Sequence, residues 1–340
     1  MHRSACLSVI LCALWLACVG AAEAPVTPEV VLTKAQADAL FKGKPAKMVL
    51  GYQPNKKIAW QDPSEGYEPI YTTMPIYLID FASATPACTL LVAKAKAVVG
   101  DPFISPDGTR FAYNSGGSVH VAKLAAGAPE STLIAKLGFD QRWWIHPVTG
   151  DEYLIYVDTP PGNQADMDGK TIMQKLKKGS CAADGAPTIL IAKQTFRCGR
   201  SPDGAYLATT QPGHVLAKLT PATAVENASI EVIHTTRGKC NGSMSQDPAR
   251  PSVFMWMDSS HKKIYYEAKE DSACIEVPNG FKHMQWGEWS THPDFFSVSP
   301  SVPDDWSDHK LHEAYIYQWS TAAWTRVTVG AGPSHLWVGK

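Results

Sequence analysis

Five stretches of this sequence concentrate the residue types that bind or transform a ligand: "GDPFI" from Gly100, "FDQRWWIH" from Phe139, "TFRCGR" from Thr195, "GKCNGSM" from Gly238 and "HMQWGEW" from His283. Together they supply Asp101, Asp140, Gln141, Arg142, Arg197, Arg200, Lys239, Asn241, His283, Gln285 and Glu288, with Trp143, Trp144, Trp286 and Trp289. A guanidinium fork grips a carboxylate or sulfate with two parallel hydrogen bonds, amides read hydroxyls, and a tryptophan face stacks on a sugar ring. Polar loops elsewhere add Asn114, Asp158, His214, Asp258, His261 and Trp306. Residue types alone do not bring these groups together.

The sharper motifs fall short. "ADMDGK" (Asp166, Asp168, Gly169) has the opening of a calcium loop but lacks the later ligands and the closing glutamate, so it reads as a turn. "SDHKLHEAY" sets His309 and His312 beside Asp308 and Glu313, and matches neither zinc-protease spacing. Ser243 in "CNGSMSQD" has no G-x-S-x-G elbow around it. Of the eight cysteines, Cys88, Cys181, Cys198, Cys240 and Cys274 lie beyond the N-terminal segment that ends at Ala21, with no C-x-x-C spacing. Cys198 and Cys240 occupy matching places in successive units and are the disulfide candidates. No metal site is expected from these patterns.

Whatever positions the chemistry must repeat, because the chain does. "SPDGTRFAYNSGGSVHVAKL" from Ser105 returns as "SPDGAYLATTQPGHVLAKL" from Ser201. Fainter copies place the turn at positions 54, 106, 147, 202, 246 and 292, a fairly even spacing that marks units of one size. Proline presets φ in the turn, aspartate bonds the backbone ahead, and glycine takes the left-handed conformation at little cost. Aromatic and β-branched runs such as Arg110–Ser115 and Tyr153–Asp158 follow, and they read as short strands. Helical character is confined to Thr33–Gly43. Units of this size built from short strands predict an all-β chain, a β-propeller of four-stranded blades, six in number with seven as the alternative. A pair of β-sandwiches is the competing architecture.

The two SPDG copies resemble the blade repeat of TolB-like periplasmic propellers, a WD40-like arrangement. The unit at Pro147 and the last unit, "STHPD", depart from its spelling. That resemblance implies inner strands that end at each turn, so the five polar stretches line one central channel. The expected ligand residues are Asp140, Gln141, Arg142, Trp143, Arg197, Arg200, Asn241, Asp258, His261, His283, Gln285, Trp286 and Glu288. The expected function is binding of a glycan, peptide or partner-protein segment at the channel mouth. Propeller-type polysaccharide lyases suggest a first alternative, β-elimination on uronic-acid glycans, with His214, His261, Arg200 and Arg142 as the catalytic candidates. A second alternative is an interaction scaffold of an envelope protein complex. No cofactor is expected; a bound divalent cation stays open.

Residues 1–21, with His2 and Arg3 ahead of an apolar run and small residues at Val19-Gly20-Ala21, read as a cleaved signal peptide. The run is shorter than the roughly 20 residues of a membrane span. Residues 22–47 then form an N-terminal segment with the short helix and a potential ring-closing strand, and residues 48–340 one propeller. A formal net charge of −1 with no basic block argues against nucleic acid as a partner. The expected location is secreted or periplasmic.

Overall fold

The computed structural model describes residues 27–52, 72–97, 102–127, 130–158, 169–209, 214–236, 240–266, 274–301 and 309–340. Their strands form six antiparallel sheets in a ring, a six-bladed β-propeller. From the axis outward, blade 2 holds Phe103–Ile104, Arg110–Ser115, Ser118–Lys123 and Ser131–Ala135. Blade 3 holds Phe139–Ile145, Glu152–Val157, Thr171–Leu176 and Thr188–Ile191. Blade 4 pairs Tyr206–Thr209, His214–Thr220 and Ser229–Thr236, with an irregular inner segment tied on by the Arg200–Leu207 bridge. Blade 5 holds Cys240–Met244, Phe254–Met257, Lys263–Tyr265 and Cys274–Glu276. Blade 6 holds His283–Trp289, Phe295–Ser301, Glu313–Gln318 and Ala323–Val329, and carries Glu29–Val30 on its outer edge.

The turn chemistry is the same wherever the motif is intact. Ser105 donates its hydroxyl to Asp107 and accepts from the Arg110 amide at 3.0 Å, while the Thr109 amide bonds Asp107 at 3.0 Å. Ser201, Asp203, Ala205 and Tyr206 repeat that set, with the two amide bonds at 2.9 and 3.0 Å. Gly108 and Gly204 sit at φ +70° and +78°, the left-handed region the turn requires. The degenerate units keep the role and change the residue. In blade 3 the Nδ1 of His146 receives the Val148 and Thr149 amides, and in blade 6 the Nδ1 of His292 receives the Asp294 amide, as Asp107 receives that of Thr109.

Blade 1 has a different origin. Its inner strand is Ser334–Val338, paired with Ala46–Gly51, then Thr72–Asp80 and Cys88–Ala97. The unit read at Pro54 therefore does not supply an inner turn. It lies outside the described residues and follows the second strand, because in this blade the first turn is replaced by the meeting of distant segments, Gly339 donating to the Pro45 carbonyl at 2.8 Å. The count of six blades holds because the C-terminal strand makes good the missing unit.

The N-terminal segment braces this closure. Thr33 and Gln36 form a capping box for the helix Lys34–Phe41, whose Phe41 ring packs at 5.4 Å from Phe81 of blade 1 and 5.5 Å from Phe295 of blade 6. Leu336, Met48, Ile316 and Val327 complete that apolar cluster. Truncating Leu336 to alanine removes packing at the closing strand and is expected to cost about 2–5 kcal/mol. Urea unfolding checks it: an unchanged midpoint would contradict the closure.

Candidate functional site

In blades 2 to 6 the inner segment starts at one opening of the axial channel, the mouth, and ends in the first turn of its blade at the opposite opening, the turn side. Between them the channel narrows to a neck. Arg142 of blade 3 reaches Glu288 of blade 6, diametrically across the ring, at 2.7 Å. Both side chains are buried, and the guanidinium stacks 3.8 Å from the Phe103 ring centre. On the turn side of this pair lies a cavity of about 50 Å³, lined by at least one residue from every blade: His335, Ile104, Arg142, Gly199, Ser243 and Glu288. That is room for a few waters or one small polar group, not for a sugar ring.

The backbone is bent to aim these groups. Arg142 and Glu288 each follow a β-bulge, where the ladder slips between Phe139 and Arg142 and between Gln285 and Glu288. Asp140 and Trp286 in those bulges, and Asn241 in the bulge of blade 5, have φ of +54°, +51° and +49°. Such non-glycine conformations cost about 1–3 kcal/mol each and gather where function over-determines the chain.

At the mouth, four expected ligand residues come together on neighbouring blades and are half-buried. Asp140 of blade 3 faces Arg197 of blade 4 at 3.6 Å. Asn241 of blade 5 donates to Gln285 of blade 6 at 2.8 Å. The Arg197 guanidinium lies 4.5 Å from the Phe139 ring centre. The result is an arc of acid, guanidinium and two amides above the closed neck.

Other candidates serve the scaffold. Arg200 spends its guanidinium on the carbonyls of Gly204, Ala222 and Ala224 at 2.7–2.9 Å and stacks on Trp144 at 3.9 Å, and burial pulls its pKa down to about 9. Asp258 accepts the Lys262 and Lys263 amides at 2.7 and 2.9 Å; although burial opposes it, these bonds and Ser260 hold its carboxyl below the usual range. His261 bonds the Met284 carbonyl at 3.1 Å, and His283 bonds Ser301 at 3.0 Å beside His312. Gln141 is fully buried next to Arg142. Asn114 ties blade 2 to the Gly138 carbonyl at 2.9 Å, and Asp158 caps the Lys170 amide at 2.7 Å.

The tryptophans are seam wedges rather than an exposed platform. Trp143 donates to the Phe103 carbonyl and Trp144 to that of Ser201, each joining neighbouring blades, while Trp286 and Trp289 are buried. His335 is the channel residue that the repeat reading misses, since no turn follows its strand; the only signal is a strand-like run, "SHLWV", left without a blade.

Asp101, Lys239, Trp306 and both aspartates of the calcium-like motif, Asp166 and Asp168, lie outside the described residues, as do the side chains of His214, Cys240 and His309. The Cys198–Cys240 pairing and the meeting of His214 with His261 therefore lie outside them too. Cys88, Cys181 and Cys274 carry unbridged thiols, and Cys198 is packed in the apolar seam of blades 4 and 5. Among the described residues no three His, Cys, Asp or Glu side chains converge as a metal would require.

The neck is protonically opposed. Burial pushes the Glu288 carboxyl up from 4.5 to about 7, against the pull of Arg142 and the Ser243 hydroxyl. Burial, then the charge of Arg142, pushes His335 down from 6.5 to about 3. Folding thus favours a proton on Glu288, so its contribution to stability rises as pH falls from about 7 toward 4.5. Folding disfavours one on His335, whose contribution is lost as pH falls from 6.5 toward 3. The two slopes offset each other in wild type. Glu288→Gln is expected to expose the histidine's loss, giving a melting temperature that drops more steeply below neutrality than that of wild type, by scanning calorimetry; parallel profiles would refute the opposition.

No family model matches the sequence, and no curated protein does. Among solved structures, TolB from Acinetobacter baumannii matches with a TM-score of 0.51 and 12% identity over 89% of this chain and 70% of that one. AztD from Citrobacter koseri matches with a TM-score of 0.41 and 8% identity over 87% of this chain and 99% of that one. At such identities the likeness is one of fold, and the chain shares the propeller architecture of TolB.

Proposed function

We propose that this propeller is a binding module that takes a peptide or partner-protein segment at its channel mouth and works outside the cytoplasm. The observation that carries the reading is the arc of Asp140, Arg197, Asn241 and Gln285, half-buried on four successive blades and partly set by strained backbone. Donors and acceptors alternating around a rigid rim suit a polypeptide, whose own amides and carbonyls alternate in the same way. A glycan suits it less well, because three of the four tryptophans of these stretches, Trp144, Trp286 and Trp289, are buried. The lyase alternative loses its cations: Arg200 is spent on three carbonyls, and Arg142 borders a cavity of about 50 Å³ that has no room for a sugar ring. A scaffold would want one broad apolar face, whereas exposed Leu133, Val148 and Val232 sit on blades 2, 3 and 4. The leader-like segment 1–21 supports export, and no described helix is long and apolar enough to cross a membrane.

Selection from a displayed random-peptide library, with an oligosaccharide array run in parallel, tests this. Enriched peptides are expected to bind wild type and to lose about ten- to a hundredfold in affinity with Arg197→Ala, as deleting a charged hydrogen-bond partner does. Its melting temperature is expected to stay near that of wild type. Peptides indifferent to Arg197→Ala and Asn241→Ala, or enrichment of glycans alone, would overturn the reading.

A further inference from the structure

The cavity beneath the neck opens away from the mouth, toward the turn side, where Pro106, Gln246 and Thr291 of three blades border it. Nothing in the mouth-binding reading uses it. We propose that this cavity is a second binding site, for a ligand carboxyl group held by Arg142 and sharing one proton with Glu288.

Geometry carries the assignment. Burying an ion pair rarely repays its desolvation, and here two strained bulges are spent in addition to direct both partners at the axis. Glu288 gives Oε1 to Arg142; its Oε2 is buried with no donor in good hydrogen-bond geometry, and the Ser243 hydroxyl lies beside the carboxyl. A buried acceptor with room for a further donor, beside a fixed guanidinium and a cavity of about 50 Å³, fits one small group that brings a donor to the first and an acceptor to the second. A carboxyl group does both. One of its oxygens takes a hydrogen bond from Arg142; the other holds a proton, drawn from solvent, in a hydrogen bond to Oε2 of Glu288. No bond to carbon forms or breaks. Two carboxylates at one site with a single proton between them are stable because both cannot ionise at that distance.

The surrounding charges agree. Blade 1 brings His335, which its buried setting keeps neutral, and blade 2 brings the apolar Ile104. Blade 4 brings Arg200, already engaged with carbonyls, and blade 5 the uncharged Ser243, whose hydroxyl accepts the Trp289 amide at 2.9 Å. Asp140, with Arg197 behind it, lies on the mouth side of Glu288 and favours a proton there. Burial already raises the proton affinity of Glu288, so the bound acid completes what the fold prepares.

Titration calorimetry of the full chain with acetate, and with acetamide as the uncharged isostere, tests this in buffers of differing ionisation enthalpy. Acetate is expected to bind with uptake of nearly one proton above about pH 8, where Glu288 is ionised, and of little below about pH 6, so its affinity rises as pH falls toward about 7 and then levels off. Glu288→Gln is expected to bind acetate with an affinity that no longer depends on pH. Arg142→Gln, once shown to melt cooperatively, is expected to lose binding; if it does not fold, the Glu288→Gln arm decides. Arg197→Ala, which disables the mouth, is expected to leave acetate binding intact, so the two sites stand or fall separately. The assignment is overturned by no acetate binding at the acid end, by binding without proton uptake above about pH 8, by an unaltered pH profile in Glu288→Gln, or by acetamide binding as tightly as acetate.

Discussion

Hydrogen bonds between Ala46–Gly51 and Ser334–Val338 hold segments from opposite ends of the chain in one sheet, and every axial feature depends on them. A propeller works by summation: six wedges, each packed on the next, must complete one circle before opposite inner strands face each other. Arg142 and Glu288 meet only when that circle closes. The helix Lys34–Phe41 and the strand Glu29–Val30 spend their burial on the same seam, filling it with Phe41 and extending blade 6 beyond its fourth strand.

With the ring closed, its axis divides into two chemically different ends. The mouth offers polar groups in pairs at distances that a ligand can still compete for. The turn-side cavity offers fewer groups, buried more deeply and already committed to one another. Bulges create this difference. In a regular ladder, alternate side chains would point along the blade faces; a slipped residue turns the next one inward, which is how the arginine of one blade and the glutamate of its opposite come to share an axis.

Much of the fold was legible because turn chemistry is local. Ser, Pro, Asp and Gly specify a bend within a few residues, and even His146 in place of serine keeps the bend, so the repeat survives its own degeneracy. Blade 1 was not legible in the same way: its turn is made of chain ends, and the pattern at Pro54 imitated the missing unit. At the site, the residue types were visible and their fates were not. Arg197 and Arg200 stand three apart in one stretch, yet one faces the mouth and the other is tied into a turn. The tryptophans read as platforms became wedges because each indole N–H of Trp143 and Trp144 found a carbonyl on the neighbouring blade. The left-handed Asp140, Asn241 and Trp286 leave no mark in sequence, since tertiary packing imposes what these residues would otherwise avoid.

The ion pair across the neck also has a mechanical meaning. Blades 3 and 6 are opposite members of the ring, so their side chains act as a single spoke across a hoop. Widening along that diameter has to rupture a bond. The other two diameters run through blades 1 and 4 and through blades 2 and 5, whose described inner segments, residues 334–338, 195–200, 103–104 and 240–244, hold no acid that could pair across them. Under strain the bore would become oval before it became larger, and any change in the spoke's charge would soften one diameter of the hoop and leave the others as they were.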